Sequence, residues 1–382
     1  MEMKLYRLGN ITDRKAALEA LGVESGGIAI MAKKMELLTF YIKDLKTPAA
    51  NILKQDALSI GAELAVPGGV ILCEKPVYDC ILVGTRKHME ILSRKELAQP
   101  FGLKAVAEAL KSFLDMPAFP TKIMGVINAN DDSFFSQSRF QEEEAVAQIH
   151  RMMEEGADII DIGAVSSRPG AEAVSEAVEL ARIRPICDAI AESKLYEKVC
   201  FSIDSYSPSV VAYALESGFS LLNDITGAAD ERLIELSVRF GAKYCIMHMQ
   251  GTPQTMQNDP HYEDVMAEVD AFFAERIAKC EALGMKREDI ILDVGIGFGK
   301  SLEHNLILLK NLKHFGHFGC EVLIGASRKS MIDKIISTPT EERLPGTLAL
   351  HLKAVENGAS IVRCHDVKEH RQALAVLEAL QS

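Results

Sequence analysis

From Thr121 onward the sequence repeats one pattern: a short apolar run ending in a polar residue or glycine, then an amphipathic stretch. The apolar runs cover 123–128, 158–163, 199–204, 221–224, 244–249, 290–295, 322–327 and 361–366. The helix-like stretches that follow them cover 142–155, 175–193, 209–217, 231–240, 263–283, 304–312, 346–357 and 368–380. Unalternating runs rich in β-branched residues fit parallel strands buried on both faces. Eight strand–helix units in about 260 residues predict an α/β fold of the (β/α)8 barrel type. A doubly wound open sheet is the competing arrangement, and the lack of a glycine-rich fingerprint at the first turn counts against it.

The strand ends carry the chemistry. They hold Asn128, Ser166-Ser167-Arg168, Asp204, Asn223-Asp224, His248, Asp293, Ser327-Arg328-Lys329, Arg363 and His365. Each alone is accounted for as a helix cap or a satisfied core group. A barrel gathers all of them at one mouth, where this fold builds its active sites.

The first 116 residues read as a small α+β domain, with strands at 1–7, 37–42 and 78–83 and helices at 13–21 and 47–61. Pro117-Ala118-Phe119-Pro120 marks the junction, because prolines end helices and stiffen links. The expected domains are therefore 1–116, which shows no catalytic constellation, and the barrel at 117–382.

Charge narrows the function. Lys and Arg number 42 against 54 Asp and Glu, a net −12, which excludes a broad nucleic-acid face. Arg168, Lys300, Arg328, Lys329 and Arg363 nevertheless predict a small basic mouth suited to an anionic substrate. No apolar run reaches the ~18 residues of a membrane span, and the N-terminal segment has no export-signal pattern. The eight cysteines are scattered, which predicts reduced thiols and a cytoplasmic protein.

The motifs Ile123-Met-Gly-Val-Ile-Asn-Ala-Asn-Asp-Asp-Ser-Phe134, Gly156-Ala-Asp-Ile-Ile-Asp-Ile-Gly163 and Ser166-Ser-Arg-Pro-Gly170 stand in order. They are followed by Ser202-Ile-Asp-Ser205, Asn223-Asp-Ile-Thr-Gly227, Met247-His-Met-Gln-Gly-Thr-Pro253 and Asp293-Val-Gly-Ile-Gly-Phe-Gly-Lys300. Ser327-Arg-Lys-Ser330 and Val362-Arg-Cys-His-Asp366 close the set. In this series the chain resembles the dihydropteroate synthases, pterin-binding transferases of folate synthesis, over about 121–382. The resemblance implies condensation of 6-hydroxymethyl-7,8-dihydropterin diphosphate with 4-aminobenzoate, with release of diphosphate, and Mg2+ as cofactor. It puts Asp204, Asn223, Met247, Asp293 and Lys329 around the pterin, whose edge of N–H donors and a carbonyl suits carboxylate and amide partners. It puts Ser167, Arg168, Pro169, Phe298 and Ser330 around the aminobenzoate, with Arg168 or Ser330 as partner of its carboxylate. Asn128, Arg363 and His365 face the diphosphate, with Asn128 also a metal contact. Lys329, Arg363 and His365 are the candidate catalytic residues. A homodimer is the family expectation.

The chain departs from the family pattern in the first loop (Asn130-Asp131), the second loop (Ala164–Arg168) and at Val294. Two alternatives share the pterin contacts: a methyltetrahydrofolate-dependent methyltransferase, and an inactive pterin-binding partner subunit. The glycines of 295–301 fit neither phosphate-loop pattern, since a Walker A loop needs Gly at 294 and a dinucleotide fingerprint needs Gly at 300. They predict a tight turn that lets backbone approach a ligand. His314, His317 and Cys320 have zinc-like spacing but lack a fourth ligand nearby in sequence. His248 reads as a strand-end structural or pocket residue.

Overall fold

The computed structural model describes residues 5, 11–129, 138–165 and 174–381. The first-loop residues 130–137, Ser167, Arg168 and Pro169, and the strand expected at 1–7 apart from Leu5, lie outside the described residues. The chain divides into two compact units, Met1–Met116 with Glu378–Ser382, and Pro117–Leu377.

The first unit holds a three-stranded antiparallel sheet in the order β1-β3-β2, with β1 (Leu37–Lys46), β2 (Glu63–Ala65) and β3 (Val77–Thr85). Strand β3 alternates, turning Tyr78, Cys80 and Leu82 inward. They meet Leu53 and Ala57 of the helix Thr47–Ile60, along with Leu92 and Leu103. Strand β1 runs past the expected end at 42 through a bulge between Ile42 and Leu45. There Asp44 takes a left-handed φ of 52° and its N–H donates to Asp79 Oδ1 at 2.9 Å.

The second unit is a closed, all-parallel eight-stranded barrel. Its strands are β4 (Lys122–Asn128), β5 (Ile159–Gly163), β6 (Cys200–Asp204), β7 (Leu221–Asp224), β8 (Lys243–Met247), β9 (Ile290–Asp293), β10 (Glu321–Ile324) and β11 (Ile361–Cys364). Each stands where the sequence pattern put a strand. Several end sooner than the apolar run, because the polar end residues turn out into loops.

The barrel interior is layered, as the two-residue strand period requires. At its base Glu321, almost fully buried, accepts from Lys122 and Lys243 at 2.6 and 2.7 Å. Burial pushes the Glu321 carboxyl up, but the two ammonium groups outweigh that and hold it below its ordinary value. Two residues further along the strands, Met124, Ile159, Leu221, Cys245, Ile291, Leu323 and Ile361 close the bore with apolar side chains. Two residues further again the interior turns polar, with Asp161, Asn223, Asp293 and Arg363 beside Val126 and Met247. The opposite strand faces pack under the helices in one continuous core that includes Phe201, Tyr244 and Phe273.

Candidate active site

The polar layer is organised by Arg363, two residues above the apolar plug on β11. Its Nε donates to Asp161 Oδ2 at 2.6 Å and its Nη2 to Asp204 Oδ2 at 2.7 Å. Asn223 Nδ2 donates to the same Asp161 oxygen at 3.1 Å. Four strands thus meet in one network: β5, β6, β7 and β11. Asp161 is fully buried, and its Oδ1 and the Ser202 hydroxyl have no hydrogen-bond partner among the described residues. Burial, reinforced by Asp161, Glu179 and Asp224, pushes the Asp204 carboxyl up to about 7 against the pull of Arg363.

Lys329 stands in the loop after β10, the strand paired with β11 of that network. Its ammonium donates to the Ile296 carbonyl and lies 4.4 Å from the centre of the Phe298 ring, a cation–π contact. Burial and the neighbouring Arg363 charge lower the Lys329 amine to about 8, although Asp293 opposes them. Asp293 Oδ1 accepts from the Gly295 N–H at 2.8 Å. Burial raises the Asp293 carboxyl above its ordinary value, opposed chiefly by Lys329.

The glycine-rich turn after β9 is tight, as expected, and is crowded by the loop after β8. At Gly295 (φ 66°) a Cβ would sit 2.0 Å from the His248 carbonyl oxygen, and at Gly299 (φ 61°) 2.3 Å from that of Gln250. Close approach to the neighbouring loop accounts for glycine at these two positions. Lys300, in the same turn, is buried and holds that loop. Its Nζ contacts His248 Nδ1 at 2.9 Å and donates to the His248 and Phe298 carbonyls at 3.1 and 2.9 Å. Burial lowers the Lys300 amine to about 7, and burial together with Lys300 lowers His248 to about 3. His248 is therefore a neutral structural partner of Lys300.

The rim carries the remaining candidates. Ser327 Oγ and His365 Nδ1 are 2.9 Å apart. Arg328 grips Asp366 through Nε and Nη2 at 3.1 and 2.5 Å. Among the described residues, Asn128 at the end of β4 and Ser330 at the start of the helix Ser330–Ile335 are exposed and stand outside the hydrogen-bonded cluster. Met247 is buried in the polar layer at the end of β8.

Two points differ from the sequence reading. The basic mouth is largely neutralised, because Arg363 is matched by Asp161 and Asp204, Arg328 by Asp366, and Lys300 is buried against carbonyls. Asp161, to which no role was assigned, is the centre of the network. Its signal was a lone acid inside an apolar run, on the same strand face as Ile159. A further buried chain supports the rim. The Ala326 N–H donates to His351 Nε2 at 3.0 Å, His351 Nδ1 lies 2.8 Å from His370 Nε2, and His370 Nδ1 lies 2.6 Å from the Asp366 carbonyl. The backbone donor at one end and carbonyl at the other require both rings to be neutral with the proton on Nδ1. Burial lowers both rings' basicity accordingly. This chain ties the loop after β10 to the loop after β11, the pair that commonly holds phosphate in this fold.

Comparison with known proteins agrees with this architecture. Residues 124–365 match the pterin binding enzyme family. The Helicobacter pylori bifunctional dihydropteroate synthase/dihydropteroate reductase is 41% identical over 368 residues, covering 96% of each chain. The Escherichia coli dihydropteroate synthase is 42% identical over 261 residues, covering 68% of this chain and 92% of that one. A crystal structure of the Yersinia pestis dihydropteroate synthase in a sulfonamide drug complex superposes with a TM-score of 0.64 at 38% identity, covering 69% of this chain and 94% of the other.

Proposed function

The chain belongs to the dihydropteroate synthases of the pterin binding enzyme family, and on that premise we propose how its residues divide the reaction. The reading rests on one observation: a polar layer of Asp161, Asp204, Asn223, Asp293 and Arg363 set directly above an apolar plug. Asp204 and Asp293 accept from the N–H groups of the pterin edge, Asn223 both donates and accepts, and Met247 packs on the ring. Lys329 borders the pterin. Phe298 and Ser330, with Ser167, Arg168 and Pro169, border the aminobenzoate. Asn128, Arg363 and His365 face the diphosphate.

In the reaction the neutral aromatic amine attacks the pterin methylene carbon. The carbon–oxygen bond to diphosphate breaks with its electron pair, and the new secondary amine loses a proton. No covalent enzyme intermediate is needed. The protein's work is to align the two substrates and to stabilise charge on the departing oxygens. Mg2+ fits this proposal, since Asn128 supplies a hard amide oxygen of the kind that accompanies waters and substrate phosphates around that ion. When bound it neutralises part of the diphosphate charge. The test is diphosphate release by purified protein given pterin diphosphate, 4-aminobenzoate and Mg2+. Release is expected, dependent on Mg2+ and weakened by Asn128→Ala. Pterin binding without release overturns the reading and favours the inactive-subunit alternative. The methyltransferase alternative has no support among the relatives, which are named synthases.

A second activity has a specific observation in its favour. One relative that spans both units, from Helicobacter pylori, is named a dihydropteroate reductase as well as a synthase, another that does so, from Halobacterium salinarum, is named a probable folylpolyglutamate synthase/dihydropteroate synthase, and the Escherichia coli synthase spans about the length of the second unit alone. We infer that this chain also reduces dihydropteroate. That step adds a hydride to the ring C=N carbon and a proton to its nitrogen, so it needs a two-electron donor such as reduced nicotinamide or reduced flavin. Consumption of NADPH on addition of dihydropteroate, with and without added flavin, is the expected result. Synthase turnover with no such consumption removes the reductase reading and leaves the synthase untouched. We also place the protein in the cytoplasm as a homodimer, a state that sedimentation tests. All eight cysteines are free thiols, and no described helix is long and apolar enough to cross a membrane.

A further inference from the structure

We propose that Asp270, His314 and His317 form a zinc-class divalent cation site in the helical layer of the second unit, apart from the inward-facing residues of the barrel mouth. The segment Leu312–Phe318 is a 3₁₀ helix. With three residues per turn, positions i and i+3 eclipse one another, so His314 and His317 share one edge and Phe315 and Phe318 the next. The helix Val265–Ala282 offers a matching pair of residues three apart, Asp270 and Phe273. The two stripes meet in register. Phe273 packs edge-on against Phe315 and Phe318, with ring centres 5.6 and 6.4 Å apart. Asp270 Oδ1 then receives both imidazoles, with His314 Nε2 at 2.8 Å and His317 Nε2 at 2.7 Å.

The apolar half of this contact fixes the polar half. Phe273 and Phe315 are fully buried, and the His317 ring lies 4.0 Å from that of Phe318. The donor atoms of the three ligands lie within 4.8 Å of one another. Two imidazole nitrogens and a carboxylate oxygen are the donor set of three-ligand zinc centres, in which water takes the fourth position. Zinc–ligand bonds of about 2.0–2.1 Å set tetrahedral donors roughly 3.3 Å apart. The two carboxylate–imidazole distances therefore have to open by only about half an ångström. The side chains of Asp270 and His314 are each 32% exposed and that of His317 19%, so a hydrated ion reaches them. Burial pushes the Asp270 carboxyl up, but the two imidazole hydrogen bonds outweigh it and keep the group ionised.

Cys320, the third member of the sequence motif, takes no part. It is buried, and its thiol lies 3.7 Å from the Arg287 carbonyl. The third ligand is instead Asp270, 44 residues before His314.

The experiment titrates the full chain with zinc alone by calorimetry, alongside Asp270→Asn and the double variant His314→Gln/His317→Gln. Circular dichroism and synthase turnover establish that each variant is folded. Wild type is expected to bind one equivalent more than either variant and to gain thermal stability with zinc that the variants do not. Zinc held by the exposed thiol of Cys73 cancels in that difference. Cobalt is expected to give a visible absorption band in wild type alone. Equal zinc stoichiometry in wild type and in whichever variant folds overturns the proposal and leaves a hydrogen-bonded clasp between the two segments.

Discussion

Asp161→Asn isolates the electrostatic role of the buried network. The substitution preserves shape, and an amide oxygen at the Oδ2 position still accepts from Arg363 and Asn223. Its NH2 group falls where Oδ1 already lacks a partner among the described residues. What disappears is one negative charge. Asp161 and Asp204 grip adjacent nitrogens of one guanidinium at 2.6 and 2.7 Å, which sets their charges roughly 5 Å apart. At an effective dielectric of about 20, such a pair repels by about 3 kcal/mol, and one pH unit corresponds to about 1.4 kcal/mol. Arg363 lies between them and screens part of this. With Asp161 neutral, Arg363 also turns wholly to Asp204. Both effects favour the Asp204 carboxylate, so its titration, now at about 7, moves down by roughly one to two pH units. Pterin N–H groups need that carboxylate ionised. The midpoint of pterin affinity against pH, measured by calorimetry with an unreactive pterin, therefore shifts to more acid conditions in the variant. The midpoint is the readout, because the plateau also reflects how well Asn223 is held. An unchanged or more alkaline midpoint refutes the coupling.

Three more outcomes follow from the geometry. Gly295→Ala meets a left-handed φ and a backbone oxygen at 2.0 Å. The strain alone costs about 1–2 kcal/mol, and displacing the His248 carbonyl disturbs Lys300 as well, so denaturant unfolding is expected to show a loss of about 3 kcal/mol or more. Lys329 loses its proton near pH 8, so turnover that depends on its charge falls as pH rises through that value. Lys329→Arg is expected to remove this alkaline limb and Lys329→Met to abolish most turnover, with Tm little changed in either. In the first unit Glu96 is fully buried, and burial with the Asp56 charge raises its carboxyl to about 7. A carboxyl raised in the folded state contributes stability at pH below its ordinary value, and that contribution is lost as pH rises through about 7. Melting curves of Glu96→Gln and wild type are therefore expected to diverge in the variant's favour between about pH 5 and about pH 8.

The barrel was legible because parallel strands buried on both faces leave short apolar runs, and eight of them alternate here with amphipathic stretches. Its interior was not. An apolar run does not say which residues face the bore, so Asp161 showed only as a lone acid between isoleucines. Its partner Arg363 is 202 residues away. The basic mouth was overread for the same reason: cations at strand ends were visible, but their pairing with Asp161, Asp204 and Asp366 is a property of the closed barrel. The segment around His314 fell between the expected helix at 304–312 and strand at 322–327 because seven residues of 3₁₀ helix leave no period long enough to detect. The glycines after β9 signalled a constraint without its origin, since the crowding atoms belong to His248 and Gln250 of the preceding loop.

The pairing of Arg363 with two carboxylates bears directly on how substrate engages this site. In the proposed binding mode, pterin N–H donors compete with Arg363 Nη2 for the Asp204 carboxylate, while Asp161 keeps Arg363 Nε in place. A pterin that takes Asp204 therefore frees one face of a guanidinium that remains anchored by the other. That face is what a diphosphate requires, a bidentate donor with its position already fixed. Binding of the pterin edge and capture of the diphosphate are then linked through one side chain, although they occur on different strands. The linkage is thermodynamic and so reciprocal: inorganic diphosphate is expected to strengthen binding of a pterin lacking the diphosphate. The Arg363→Lys variant has one nitrogen in place of the fork and cannot hold Asp161 while turning to phosphate. It is expected to bind each ligand singly with that cooperativity lost. Equal cooperativity in the two proteins rules out Arg363 as the link.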